Sequence, residues 1–238
     1  MNLILFTAAE TAQPLPCTDR RAIHLLQVLR RREGDTFDAG LINGPRGKGT
    51  VVAICPESLT LSFVWATEPP PLDPIILIVG LPRPQTARDI LRDATSLGVA
   101  AIHFVVTDKG ERNYANSTLW ASGEWQRHLI AGAEQAFDTR LPEIAHGSLL
   151  IEAITTLTPD ATRLALDNYD ASGPLSSQSL SAGAIALAFG PERGWSNAER
   201  ATLRGTGFSF GHLGPRVLRL EIAVTAAVAL MKAKRGLM

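Results

Sequence analysis

Thr67-Glu68-Pro69-Pro70-Pro71-Leu72-Asp73-Pro74, followed at once by Ile75-Ile76-Leu77-Ile78-Val79, separates two kinds of structure in this chain. Four prolines in eight residues remove backbone donors and fix φ, so the stretch can neither pair in a central strand nor continue a helix. It reads as an extended interdomain linker over residues 69–74. The unbroken apolar run that follows is the pattern of a strand covered on both faces.

Downstream, the pattern alternates. Ala87 to Leu97 reads as an amphipathic helix, Ala101-Ile102-His103-Phe104-Val105-Val106 as a second buried strand, and Leu119 to about Phe137 as one long helical region. Further strands are expected at Arg163-Leu164-Ala165-Leu166, Ala184 to Phe189 and near Phe208-Ser209-Phe210, with helices from Ser196 and from about Leu220. Continuous apolar strands alternating with helices predict an α/β domain with a parallel sheet over residues 75–238. Upstream, Thr50-Val51-Val52-Ala53-Ile54 and Ser58 to Val64 are short alternating runs beside a turn-rich Asn43 to Gly49, which predicts a small β-barrel over residues 1–68. One helix is expected there, from Arg20 to Arg30, with Ile23, Leu25, Leu26 and Leu29 on its apolar face and Arg30, Arg31 and Arg32 at its end.

Composition narrows the function classes. With 238 residues, 45% hydrophobic and 19% charged, the chain is neither disordered nor a minimal disulfide-stapled fold. Lys and Arg equal Asp and Glu at 23 each, so binding dominated by bulk attraction to phosphate is excluded and any nucleic-acid role needs a local patch. Of the 23 cations only four are Lys, a bias that suits bidentate phosphate contacts and that a GC-rich genome also produces. Cys17 and Cys55 form no CxxC pair and no histidines cluster, so a cytoplasmic protein without a metal is expected. The N-terminus lacks a signal-peptide pattern, and the longest apolar run, Ile222 to Met231, is about half the length of a membrane span.

Two segments carry chemistry. Phe189-Gly190-Pro191-Glu192-Arg193-Gly194-Trp195-Ser196 follows a buried strand, and Ser196 with Glu199 forms a capping box for the next helix. Such a turn is often plain punctuation, but at the carboxyl end of a parallel strand it lies where ligands bind. His212-Leu213-Gly214-Pro215-Arg216-Val217-Leu218-Arg219-Leu220-Glu221 places two arginines at a helix start, where the macrodipole disfavours cations. An anion is therefore expected beside them, whether Glu192, Glu221 or a ligand.

These two segments resemble the C-terminal signature of the 16S rRNA uridine N3-methyltransferases, the RsmE family of the SPOUT superfamily. Weaker matches run through the chain: His24-x-x-x-Val28-Leu29-Arg30-x-x-x-Gly34-Asp35, Leu97-Gly98-Val99, and Glu134-Gln135 ahead of Arg140-Leu141-Pro142-Glu143-Ile144. The resemblance implies a PUA-like RNA-binding barrel, a SPOUT domain with a trefoil knot, a homodimer, S-adenosylmethionine as methyl donor, and 16S rRNA or the small ribosomal subunit as partner. By the same carry-over the donor lies among Leu166, Asp167 and Asn168, Gly190, Pro191 and Gly194, and Leu213, Gly214, Arg216, Val217 and Leu218.

The chain departs from the family pattern at Arg193, Leu220, Ser96 and Asp138, and it lacks the lysines expected around Gln85 to Arg92. These changes touch RNA-facing positions more than the donor loops. They keep open a second reading, a non-catalytic RNA-binding paralogue with the same fold and dimer.

Methyl transfer to uridine N3 requires a weakly acidic imide to lose its proton, so the site must orient two reactants and stabilise an anion spread over the uracil carbonyls. Arg219 fits the stabilising role; Glu221 or Glu192 would orient it or accept the proton. Arg30, Arg31, Arg32 and Lys48 are the candidate phosphate-binding patch, although an arginine triplet at a helix end also complements the dipole. The ten residues after Glu221 carry no charge, which predicts a helix buried on every face and a partner subunit covering part of it. Trp120 and Trp125 are expected to pack on one helix, and His103 within its strand.

Overall fold

A computed structural model describes residues 3–238, and the chain divides into two units. The first comprises the residues up to Pro71 together with Ala133–Leu141. Its sheet contains β1 (Ile4–Phe6), β2 (Leu15–Pro16), β3 (Thr36–Leu41), β4 (Arg46–Ile54) and β5 (Ser58–Thr67) in the order β1-β3-β4-β5-β2. The β1–β3 pair is parallel and the other three pairs are antiparallel, so the sheet is mixed; β1 and β2, at its ends, are not hydrogen-bonded to each other among the described residues. Phe6, Leu25, Phe37, Val51 and Leu59 form its core, with the Phe6 and Phe63 rings edge-to-face at 5.0 Å.

The single helix read from Arg20 to Arg30 is shorter and irregular. Asp19 caps α1 (Arg20–Ile23) by accepting from the Arg21 amide, and a π-helical turn over His24–Val28 follows. The wider turn rotates the apolar face: Leu25 is buried while Ile23 and Val28 face solvent. Arg30 then takes a left-handed conformation (φ 53°), and the Arg31 amide closes the end on the Leu25 carbonyl.

The second unit comprises Leu72–Gly132 and Pro142–Met238. Its six strands are β6 (Asp73–Gly80), β7 (Val99–Val106), β8 (Glu143–Leu149), β9 (Thr162–Leu166), β10 (Ile185–Phe189) and β11 (Ser209–Gly211), in the order β11-β9-β10-β6-β7-β8. Every pairing is parallel, as the apolar runs predicted. Asp73 and Pro74, read from the sequence as linker, open β6, where a register shift between Asp73 and Ile76 accommodates a residue without an N–H.

The helices of this unit are α2 (Pro84–Ser96), α3 (Thr118–Ala121), α4 (Trp125–Ala136, which runs on into the first unit), α5 (Leu150–Thr155), α6 (Asn197–Gly205) and α7 (Leu220–Arg235). The expected long helix from Leu119 is broken between α3 and α4, where Gly123 takes φ +73°. Trp120 and Trp125 are thus on different helices; Trp120 stacks on His146 at 4.5 Å and packs on Phe104. His103 is half-buried on β7, and that burial lowers its pKa. No helix among the described residues is long and apolar enough to cross a membrane.

Register places the site. Phe189 on β10 pairs with Leu166 on β9, and Gly211 on β11 pairs with the same Leu166, so three neighbouring strands end at one level. The loops after them leave the sheet side by side, at the carboxyl edge where α/β sheets bind ligands.

Candidate active site

Between these loops lies a cleft of about 350 Å³, within the range of small-molecule sites. Leu166, Asp167, Gly190, Pro191, Gly194, Leu213, Arg216, Val217 and Leu218, all expected from the sequence, line it, as do Asn168, Glu192 and Arg193. Gly214 is absent from the lining; its φ of +106° bends the third loop instead. Arg219 and Glu221 are outside the lining as well, although their neighbours Leu218, Leu220 and Ala223 belong to it.

The glycine loop is shaped by contacts within itself. A Cβ on Gly190 would stand 2.9 Å from the Gly194 carbonyl carbon and from the Trp195 nitrogen, so only glycine lets residues 190–195 fold back this tightly. Gly194 has open space around its Cα but φ +68°, and its N–H donates to the Pro191 carbonyl at 2.7 Å. After the loop, the expected capping box forms: Ser196 Oγ accepts from the Glu199 amide, and Glu199 Oε2 accepts from the Ser196 amide at 2.7 Å. Glu199 Oε1 also accepts from the Asp108 amide, and Lys109 Nζ donates to the Trp195 carbonyl, so α6 and its loop are fixed from two directions.

Asp167 is buried in the cleft wall and its carboxylate is fully engaged. Oδ1 accepts from the amides of Tyr169 (2.7 Å) and Asp170 (3.2 Å), while Oδ2 accepts from Arg200 Nε at 2.7 Å. This hydrogen bond and the Asp167 charge raise the Arg200 pKa, and Arg204 pairs with Asp170 beside them. Asp167 therefore builds the wall of the cleft through its own contacts. Arg200, Tyr169, Trp195 and His212 also line the cleft and were not singled out from the sequence. A cation one turn into a capped helix was the available signal for Arg200, but its partner lies 33 residues away.

Among the described residues, the arginines expected to need an anion pair with no carboxylate. Glu192 accepts from the Arg83 amide at 3.0 Å and from Arg83 Nε at 3.5 Å, so it does not pair with Arg219. Among the described residues Arg193, Arg216 and Arg219 have no ion-pair partner, and all three are exposed. Arg219 holds the N-cap position of α7 with extended backbone (ψ 151°), and no side chain caps the helix there. In the first unit, Arg30 and Arg32 are exposed, Arg31 is half-buried, and Lys48 is tied to Asp38 at 2.7 Å. No group of three His, Cys, Asp or Glu side chains among the described residues is placed to hold a metal.

A family model described as the RNA methyltransferase domain matches residues 68–232. A ribosomal RNA small subunit methyltransferase E of Treponema pallidum is 36% identical over 242 residues, covering 98% of this chain and 91% of that protein. The chain belongs to this methyltransferase family. A second member, ribosomal RNA small subunit methyltransferase E 1 of Borreliella burgdorferi, is 27% identical over 98% of both chains. In fold the family likeness extends to the crystal structure of a ribosomal RNA small subunit methyltransferase E from Neisseria gonorrhoeae bound to S-adenosyl methionine (TM-score 0.76, 24% identity, 98% of each chain). It extends also to a probable rRNA-methyltransferase from Porphyromonas gingivalis (TM-score 0.80, 21% identity, 98% of each chain).

Proposed function

We propose that this chain transfers the methyl group of S-adenosylmethionine to N3 of a uridine in the 16S rRNA of the small ribosomal subunit. The observation that carries this reading is the convergence of three loops, after Leu166, Phe189 and Gly211, on one cleft in a chain of this family. The residues fit the donor. Apolar walls from Leu166, Phe189, Leu213 and Leu218 suit an adenosine, and the buried Trp195 has an Nε1 without a protein partner. Leu166, Asp167, Gly190, Pro191, Gly194, Leu213, Arg216, Val217 and Leu218 would hold the donor, with Gly214 shaping the last loop. When bound, S-adenosylmethionine supplies an electrophilic methyl group on a sulfonium.

The chain's own residues would do the rest. Arg219, exposed and free of carboxylates, faces no internal competitor for the anion that develops on the uracil carbonyls. Glu192 is already held by Arg83, which leaves Glu221, in the first turn of α7, as the better acceptor for the N3 proton. The first unit would act as a PUA-like RNA-binding domain through Arg30, Arg31, Arg32 and Lys48. We further propose that residues 75–238 form a SPOUT domain with a trefoil knot, and that two copies associate in the cytoplasm through the α7 face that its own unit leaves open.

Mass spectrometry of small-subunit rRNA from a strain lacking the gene, with and without its return on a plasmid, tests the reading. It requires one methyluridine to disappear and to come back. Unchanged rRNA together with retained RNA binding would leave the non-catalytic paralogue.

A further inference from the structure

Tyr169, on the rim of the cleft, is 86% exposed, more than any other large apolar side chain among the described residues. Its position is nevertheless fixed. Its amide donates to Asp167 Oδ1, the same oxygen takes the Asp170 amide, and the Arg200 guanidinium lies over one face of the ring at 5.8 Å. The buried Asp167–Arg200 pair thus presents an aromatic ring to solvent with its other face open. At 86% exposure the ring adds little to the protein's own core.

Arg193 and Arg216 line the same cleft as Tyr169, are exposed, and have no ion-pair partner among the described residues. An open aromatic face beside unpaired arginines is the chemistry that binds unpaired RNA, since any base can stack on the ring while guanidinium groups take the flanking phosphates. A second copy of the chain is the poorer occupant: it would bring a second set of uncompensated arginines against the first, whereas RNA brings the opposite charge. Uridine N3 is also hidden in a paired or stacked base and becomes accessible only when that base is splayed out, which requires a surface to receive a displaced base.

We infer that Tyr169 is the stacking platform for an unpaired base of the RNA substrate, with the exposed Arg193 of the same cleft taking a flanking phosphate. The inference rests on the methyltransferase reading and adds the residues that position the RNA. Tyr169 is a positioning residue of the substrate, set by the Asp167–Arg200 pair.

The test uses the full-length protein, Tyr169→Ala, Tyr169→Phe and small-subunit RNA, with 5-iodouridine in place of uridine for photocrosslinking. Tyr169→Ala should raise the KM for RNA about ten-fold or more with kcat within a few-fold. Because Tyr169 also lines the donor cleft, S-adenosylmethionine affinity is read by calorimetry alongside, and a loss there as large as the loss for RNA assigns the ring to the donor's adenine and overturns the inference. Tyr169→Phe, which keeps the ring, should behave as wild type, and the crosslinked peptide should contain Tyr169. A KM for Tyr169→Ala equal to wild type, or crosslinks confined to other peptides, overturns the inference and leaves the methyltransferase reading standing. If the wild type methylates no RNA, that reading falls and the crosslink decides alone. A dimer that dissociates on Tyr169→Ala assigns the ring to a subunit contact and also overturns the inference.

Discussion

Arg200 Nε meets Asp167 Oδ2 at 2.7 Å inside the cleft wall, where the two side chains are 11% and 3% exposed. Removing Asp167 takes away the short contact of the buried guanidinium and leaves it, among the described residues, only the Asp170 carboxylate, at 3.5 Å. Asp167→Ala should therefore cost about 3 kcal/mol of stability, and the loop from Asp167 to Asp170 should lose its fixed shape. Thermal melting together with calorimetry of S-adenosylmethionine binding checks this, with both readouts expected to fall. A variant with wild-type melting would remove the pair from the architecture of the site.

Gly190 and Gly194 should respond differently to alanine. At Gly190 the new Cβ meets backbone atoms at 2.9 Å, so the whole loop must move and donor affinity should drop at least about ten-fold. At Gly194 there is open space, and only the positive φ resists, at about 1 kcal/mol. Gly194→Ala should melt slightly earlier and bind the donor nearly as well. Equal binding losses in the two would contradict this account of the loop.

Because Arg219 has no carboxylate partner, Arg219→Ala should leave the melting temperature unchanged. Donor affinity should stay within a few-fold, and single-turnover methylation should slow by about 100-fold, the scale for losing one preorganised charge-stabilising donor. Unimpaired transfer would exclude Arg219 from the mechanism.

On α7, Val224, Ala227, Val228 and Met231 are buried within one chain, whereas Ile222 is half exposed. The sequence expectation of a helix needing cover on every face thus separates into two experiments. Val228→Lys should unfold the second unit, and Ile222→Lys should leave the fold intact and shift the sedimentation of a dimer toward the monomer. An unchanged sedimentation profile for Ile222→Lys would place any subunit contact elsewhere.

Arg21 bonds both Asp19 and Glu10 and holds their carboxyls below the usual carboxylate range. Their folded-state pKa values lie below the unfolded ones, so the stabilisation is complete above about pH 4.5 and is lost as pH falls through the folded values. The first unit should melt progressively earlier as pH drops from about 4.5 toward 2. A variant with Asp19→Asn and Glu10→Gln should show a much flatter acid limb.

Much of this structure was legible along the chain because the deciding interactions are local. Ile75 to Val79 and Ile185 to Phe189 are apolar throughout and became central strands; Ser196 and Glu199, three residues apart, made the capping box they spelled. What escaped depends on distance or on a shift of one residue. β8 reads Glu143-Ile144-Ala145-His146, too polar to stand out, because it lies at the sheet edge and is largely exposed. The π-helical turn at His24–Val28 moves Ile23 out of the face that a regular period gave it. Tyr169 and Arg200 joined the site only through the register of β9 against β10 and the fold of the loops beyond them.

The first unit is completed by Ala133–Leu141: Glu134 accepts from the Leu5 amide, Arg46 donates to the Phe137 carbonyl, and Thr139 Oγ1 donates to the Gly44 carbonyl. During synthesis the amino-terminal 71 residues leave the ribosome well before these partners do. The nascent unit must wait, with its edge unfilled, until about residue 141 has emerged, by which time β6, β7 and α2 of the second unit are already outside. Cutting the gene at the proline segment would make that wait permanent, and an amino-terminal fragment intended to fold on its own should be made with residues 133–141 supplied as a peptide or a fusion.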